Sequence, residues 1–197
     1  MSIGRLASCA RCCALGVLTA SVVSLPSAFA DEAAAKHAAH NQSQESAKGR
    51  PAELIRIVRE ATTRYRDSTV AEADGYKLMF GCVTGPDWGA MGLHYVNLSL
   101  VGDGELDAAR PEIVIYEPMP NGRLKLTGAD FLVLAADWDA KHAGPPQLEG
   151  QLFHLFESPN RFGLPAFYTL HVWAWKDNPS GSFVNWHPNV SCDNFAG

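Results

Sequence analysis

The chain has 197 residues and a formal charge of −5, with 16 basic residues against 21 acidic ones. An acidic chain without a Lys/Arg cluster is a poor partner for nucleic acid or an anionic membrane, which excludes those binding classes.

Residues 1–30 read as a secretory signal peptide. Arg5 and Arg11 form a positive n-region, residues 14–25 form an apolar run of 12 residues, and Ala28-Phe29-Ala30 places cleavage near Ala30. Cys9, Cys12 and Cys13 precede the apolar run, so none is the lipidated cysteine of a lipoprotein. Without Arg5 and Arg11 the remainder carries 14 basic residues against 21 acidic, a charge of −7. No later stretch reaches the roughly 18 apolar residues of a membrane helix, so a periplasmic or secreted, soluble product is expected.

Residues 31–49 contain Ala, Gln, Ser and charge but no large apolar residue, and read as a flexible linker. Residues 50–197 are expected to form one domain. Leu54, Ile55, Val58, Ala61, Thr62 and Tyr65 recur at helical spacing behind Pro51. Ser68 is placed to cap a second short helix that Gly75 would stop, giving a helical arm of about 25 residues.

From Tyr76 onward the texture changes to strands. Residues 92–101, 111–118, 122–136, 151–158, 166–176 and 182–186 are the strand candidates. Asn121-Gly122 supplies a tight turn between the second and third. Residues 137–149 read as a loop. The fold class is therefore α+β: a helical arm, then an antiparallel sheet able to curl into a small barrel. Only Cys82 and Cys192 follow the signal, so in an oxidising compartment they are expected to pair. That bond would close a loop of about 110 residues, worth about 4–5 kcal/mol in the chain-entropy treatment.

Alternation within the strands points to a site. His171 shares a strand face with Trp173 and Trp175, and His94 with Val96, Leu98 and Leu100. Asp130 falls among Leu124, Leu126, Leu132 and Leu134, where a carboxylate costs several kcal/mol unless paired. Two imidazoles and a carboxylate on three strands are the donor set of a mononuclear iron, zinc, manganese, nickel or copper site. The same trio without metal could be a general acid/base pair with an orienting carboxylate, or a buried hydrogen-bonded network that only fixes the fold. His187 is a weaker fourth ligand, with Trp173 and Trp175 as lining for a small molecule. His154 reads as a core histidine, and Glu112 and Glu117 as solvated. The sequence contains no G-x-S-x-G, P-loop, dinucleotide fingerprint or H-E-x-x-H, which removes several large enzyme classes. The two function classes in view are a metal-dependent protein and a non-catalytic structural or small-molecule-binding module of the periplasm.

The segments ADGY (73–76), GAMGLHYVN (89–97), ARPEIVIYEP (109–118), LHVWAWKDNPSGSF (170–183) and NVSC (189–192) occur in this order. Together they resemble a family of small exported bacterial proteins without an assigned activity, over residues 52–192. The family pattern often has Glu at the position of Asp130, a second His at Phe167 and Asn at His187. The resemblance implies export and a single domain. Asp130 keeps the carboxylate with a shorter reach, whereas Phe167 removes one ligand from any site richer in histidine.

Overall fold

The computed structural model describes residues 51–196. The segments expected to form a signal peptide (1–30) and a linker (31–49) lie outside the described residues.

Residues 51–62 are helical (α1), followed by a 3-10 turn at Thr63–Arg66 and a short helix α2, Ser68–Ala73. Leu54 and Val58, one turn apart, are fully buried and anchor α1 to the sheet. Asp67, not Ser68, caps α2: its backbone is extended, and its carboxylate accepts from the Thr69 amide at 3.0 Å. Gly75, at φ 95°, ends the arm as expected.

Six strands form one antiparallel sheet in the order β1-β2-β3-β4-β8-β7. They are β1 (Lys77–Gly85), β2 (Gly89–Val96), β3 (Ile113–Pro118), β4 (Leu124–Leu134), β7 (His154–Phe156) and β8 (Phe167–Val172). A two-stranded ribbon, β5 (Gln147–Leu148) with β6 (Gln151–Leu152), stands apart. The large sheet curls into a half-barrel that is open between β1 and β7, so the expected α+β class holds. Aromatic rings reach across that opening: Phe162 meets Phe80 of β1 at 5.4 Å and Phe156 of β7 at 6.3 Å.

The helices cover the outer face, where Leu54, Val58 and Ala71 pack with Leu93, Val114, Tyr116, Phe131 and Leu170. The inner face carries Val96, Ile113, Ile115, Leu132 and Phe167. One β-bulge decides which residues of β4 join which face. Ile115 pairs with Gly128 and Tyr116 with Leu126, which leaves Thr127 as the extra residue. Leu124 and Leu126 therefore join the outer cluster, while Leu132 and Leu134 join the inner one. The single leucine face expected for this strand is split. Gly128 is required just past the bulge, because a Cβ there would strike the Val172 carbonyl.

Several element boundaries differ from the sequence reading. The expected strand 92–101 ends at Val96, because the Asn97 side chain caps a helical turn, α3 (Leu98–Val101), by accepting from the Ser99 amide. Ala135–Asp139 is also helical (α4), inside what read as strand end and loop. Residues 151–158 split into β6 and β7 around a buried Phe153, leaving Leu152 and His154 exposed, so His154 is not a core histidine. Residues 182–186 form no strand; beside them His187 makes only an isolated bridge to Ala90. The Asn121-Gly122 hairpin holds, as a five-residue connection with Gly122 at φ 75°.

Cys82 and Cys192 are disulfide-bonded, with Cα atoms 5.8 Å apart and a sequence separation of 110. The bond fastens the C-terminal segment to β1. Replacing both cysteines by serine is expected to lower unfolding stability by up to about 4–5 kcal/mol, as measured by urea titration under non-reducing conditions. An unchanged midpoint would show that the link contributes nothing.

Candidate metal centre

His94, Asp130 and His171 stand together on the inner face. His94 lies on β2 opposite Ile115, Asp130 on β4 opposite Ile113, and His171 on β8 directly opposite Asp130. Each offers a ligand atom within 4.8 Å of the others, and all three side chains are buried. The rings of His94 and His171 meet edge to face at 6.2 Å.

Hydrogen bonds assign the roles of two members. His94 Nδ1 lies 3.1 Å from the Gly92 carbonyl, which can only accept. The proton therefore sits on Nδ1 and the Nε2 lone pair is left bare, the tautomer of a metal-ligating histidine. The Thr169 hydroxyl donates to Asp130 Oδ1 at 2.5 Å, fixing the carboxylate from the neighbouring strand. His171 is the anomaly. Among the described residues neither of its ring nitrogens has a hydrogen-bond partner, and its exposure is 1 %. A buried donor left unmet costs about 1–3 kcal/mol. A network that merely fixed the fold would bond His171 to Asp130, so this geometry argues against the purely structural reading.

Burial sets the charges. It pushes His94 down to about 4 and His171 well below the usual range, where His94 and His187 add to the effect. It pushes Asp130 up to about 7, opposed by the Thr169 hydroxyl and the backbone amides of Phe131 and Leu170. At neutral pH the imidazoles are thus uncharged and ready to donate lone pairs, and Asp130 has no cationic neighbour among its hydrogen-bond partners.

The weaker candidates separate. Trp173 is buried and stacks on His171 at 4.4 Å, while its indole nitrogen donates to the Val184 carbonyl. Trp175 is not at the site. The strand ends at Val172, alternation stops there, and Trp175 turns to the helix side to donate to Thr62 Oγ1. His187 is buried rather than on a surface loop. Its Nδ1 accepts from the Asn189 amide at 3.0 Å, its Nε2 lies 3.1 Å from the Asp177 carbonyl, and Trp173 stands between it and His171. With both nitrogens engaged by backbone, it supports Trp173 and offers no free lone pair.

Sequence reasoning missed the pocket wall and Glu112. A small cavity of about 30 Å³ lies against His94 and Asp130 and is walled by Phe80, Met91, Phe156, Phe162 and Phe167, with Asn185 at its edge. Phe80 reaches it from a second bulge, where Phe80 and Gly81 both take positive φ between paired residues Met79 and Cys82. Glu112 and Glu117, expected to be solvated, are both buried. Glu117 forms an ion pair with Lys176 at 2.7 Å, and Glu112 accepts from the Leu132 amide at 3.0 Å. The burial of Glu117 on β3 and of Glu112 just before it, in the middle of the sheet, was not readable from a local pattern.

No family model, curated protein or solved structure matches this chain.

Burial pushes the Glu112 carboxyl up from 4.5 to about 8, against the backbone amides that face it, and the nearby charges of Asp130 and Asp103 add to the rise. The folded state then holds a proton that the unfolded state has lost, so stability declines as pH rises through that window and levels off above it. Asp130 acts with the same sign up to about 7. His94 has the opposite effect, because its folded pKa is depressed: stability gained from it is lost as pH falls from 6.5 toward 4. Glu112→Gln keeps the acceptor for Leu132 and removes the charge. In urea titrations with chelator at pH 6.5 and 8.5, it should lose about 1–2 kcal/mol less than the native chain. Equal losses would show that Glu112 does not carry the proton.

Proposed function

We propose that this chain is an exported, soluble metalloprotein in which His94, Asp130 and His171 would hold one divalent transition-metal ion beside the phenylalanine-walled pocket. The observation that carries the reading is His171: a fully buried imidazole with both nitrogens unpartnered, beside a bare His94 nitrogen and a positioned carboxylate. Two imidazoles and one carboxylate suit iron, zinc, manganese, nickel or copper. A metal bound there would polarise a substrate oxygen or activate water or dioxygen.

The protein's own groups do the rest. Thr169 holds Asp130 in place, the Gly92 carbonyl sets the His94 tautomer, and Trp173, braced by His187, holds the His171 ring from behind. The apolar wall would limit the access of water to a metal held there. Export is supported by the disulfide, and among the described residues no helix is long and apolar enough to cross a membrane. The resemblance to small exported bacterial proteins, carried by the segments around His94 and His171, points to the same compartment.

Protein purified without a histidine tag or chelator is expected to contain about one equivalent of metal by plasma mass spectrometry. His94→Ala, His171→Ala and Asp130→Asn should each lose it while circular dichroism shows the fold retained. Thr169→Val should weaken affinity by about 10–100-fold without abolishing binding, as expected for a residue that orients a ligand. Failure to take up iron, zinc, copper, nickel or manganese on reconstitution would overturn the metal reading and leave a metal-free small-molecule pocket.

A further inference from the structure

The pocket wall beside the triad says what kind of molecule would reach a metal held there. Phe156 and Phe167 lie parallel at 5.2 Å, and Phe162 meets them edge-on at 6.3 and 6.1 Å. Phe80 packs edge-on against Phe162 at 5.4 Å and is 40 % exposed, so its ring lies between the cavity and solvent. No Lys or Arg is among the lining residues.

Charge narrows the choice. A divalent ion, one carboxylate and two uncharged imidazoles leave a net charge of +1, and neither His94 nor His171 is exposed enough for water to screen it. A neutral ligand leaves that charge in place, and a dianion reverses it. Only a monoanion cancels it, and with no cationic side chain among the lining residues the metal is the counter-charge within the pocket, Arg161 lying outside it over the Phe162 ring.

We infer, resting on the metal reading above, that the pocket takes a small monoanion with an aromatic body, which ligates the metal through oxygen and seats its ring among Phe80, Phe156, Phe162 and Phe167. Small aryl carboxylates and phenolates are the class. The cavity of about 30 Å³ has room for about one or two waters, so a ring must displace Phe80. The site of that displacement is built in. Phe80 is a non-glycine residue at φ 67° on a two-residue bulge, and backbone of this kind gathers at ligand clamps. Neither residue of the bulge is tied into the β1–β2 ladder, so the ring can swing while Met79 and Cys82 keep their partners.

The test uses the full mature protein loaded with cobalt(II), whose visible d–d absorption reports the coordination shell. The probes are benzoate, acetate (a monoanion without a ring), benzyl alcohol (a ring without charge) and phthalate (a ring with two charges). Benzoate should shift the spectrum and saturate at one equivalent, at least about tenfold tighter than each of the other three. Phe162→Ala should keep the cobalt and weaken benzoate about tenfold. If cobalt binds in a His94- and His171-dependent manner but benzoate is no tighter than acetate or benzyl alcohol, the ligand class is overturned and the metal reading stands. If phthalate matches benzoate, the charge argument fails. If no cobalt binds, both readings fall.

Discussion

The antiparallel register between β4 and β8, which sets Asp130 opposite His171, brings two ionisable side chains to the inner face of a curled sheet. The His94 ring arrives from two strands away, against the edge of His171. The bulge at Thr127 makes this register possible. Without the extra residue, Asp130 would share a face with Leu124 and Leu126 and point toward the helices. Gly128 allows the β8 backbone to approach closely at that point.

Burial of these groups works against the fold in the absence of a compensating partner. Each imidazole is driven to its neutral form, Asp130 is pushed up to about 7, and Glu112 behind it to about 8. A domain selected for stability alone would place leucine or valine here, since apolar replacement of buried charge is often neutral or stabilising. The surrounding hydrogen bonds hold donor atoms in place instead of neutralising one another. Thr169 points at the carboxylate, Gly92 at the His94 proton, and Trp173 presses on the His171 face. Stability at the site is exchanged for a set of preorganised lone pairs, which is the pattern expected of a functional centre.

The shell around the centre is built from elements of unequal firmness. Behind His171, Trp173 and His187 are fixed by backbone hydrogen bonds, and the disulfide fastens the same C-terminal segment to β1. In front, the half-barrel stays open between β1 and β7, and phenylalanine rings span the opening. The back wall is thus tied down by hydrogen bonds and a disulfide, whereas the front is an unpaired, aromatic edge.

Much of this was legible in the sequence because it depends on local periodicity. Helical spacing placed Leu54 and Val58 on the core face, and alternation set His94 and His171 on buried strand faces, whereas Asp130 joins the inner face with Leu132 only because of the bulge at Thr127. The count of cysteines after the N-terminal apolar run paired Cys82 with Cys192. Alternation failed wherever the backbone stopped being regular. Asn97 capped a helical turn and removed Leu98 and Leu100 from the strand, and the end of β8 at Val172 sent Trp175 to the opposite side. His187 and Glu112 became buried through contacts with segments distant in the chain, which no local pattern encodes. The sequence by itself determined which residues share a face over each regular stretch of strand, because side-chain direction in a strand has a period of two. Only the tertiary structure decided that His94, Asp130 and His171 meet, that His171 has no partner, and that phenylalanines wall the space beside them. Those outcomes depend on bulges, curl and register, which are set by packing between strands.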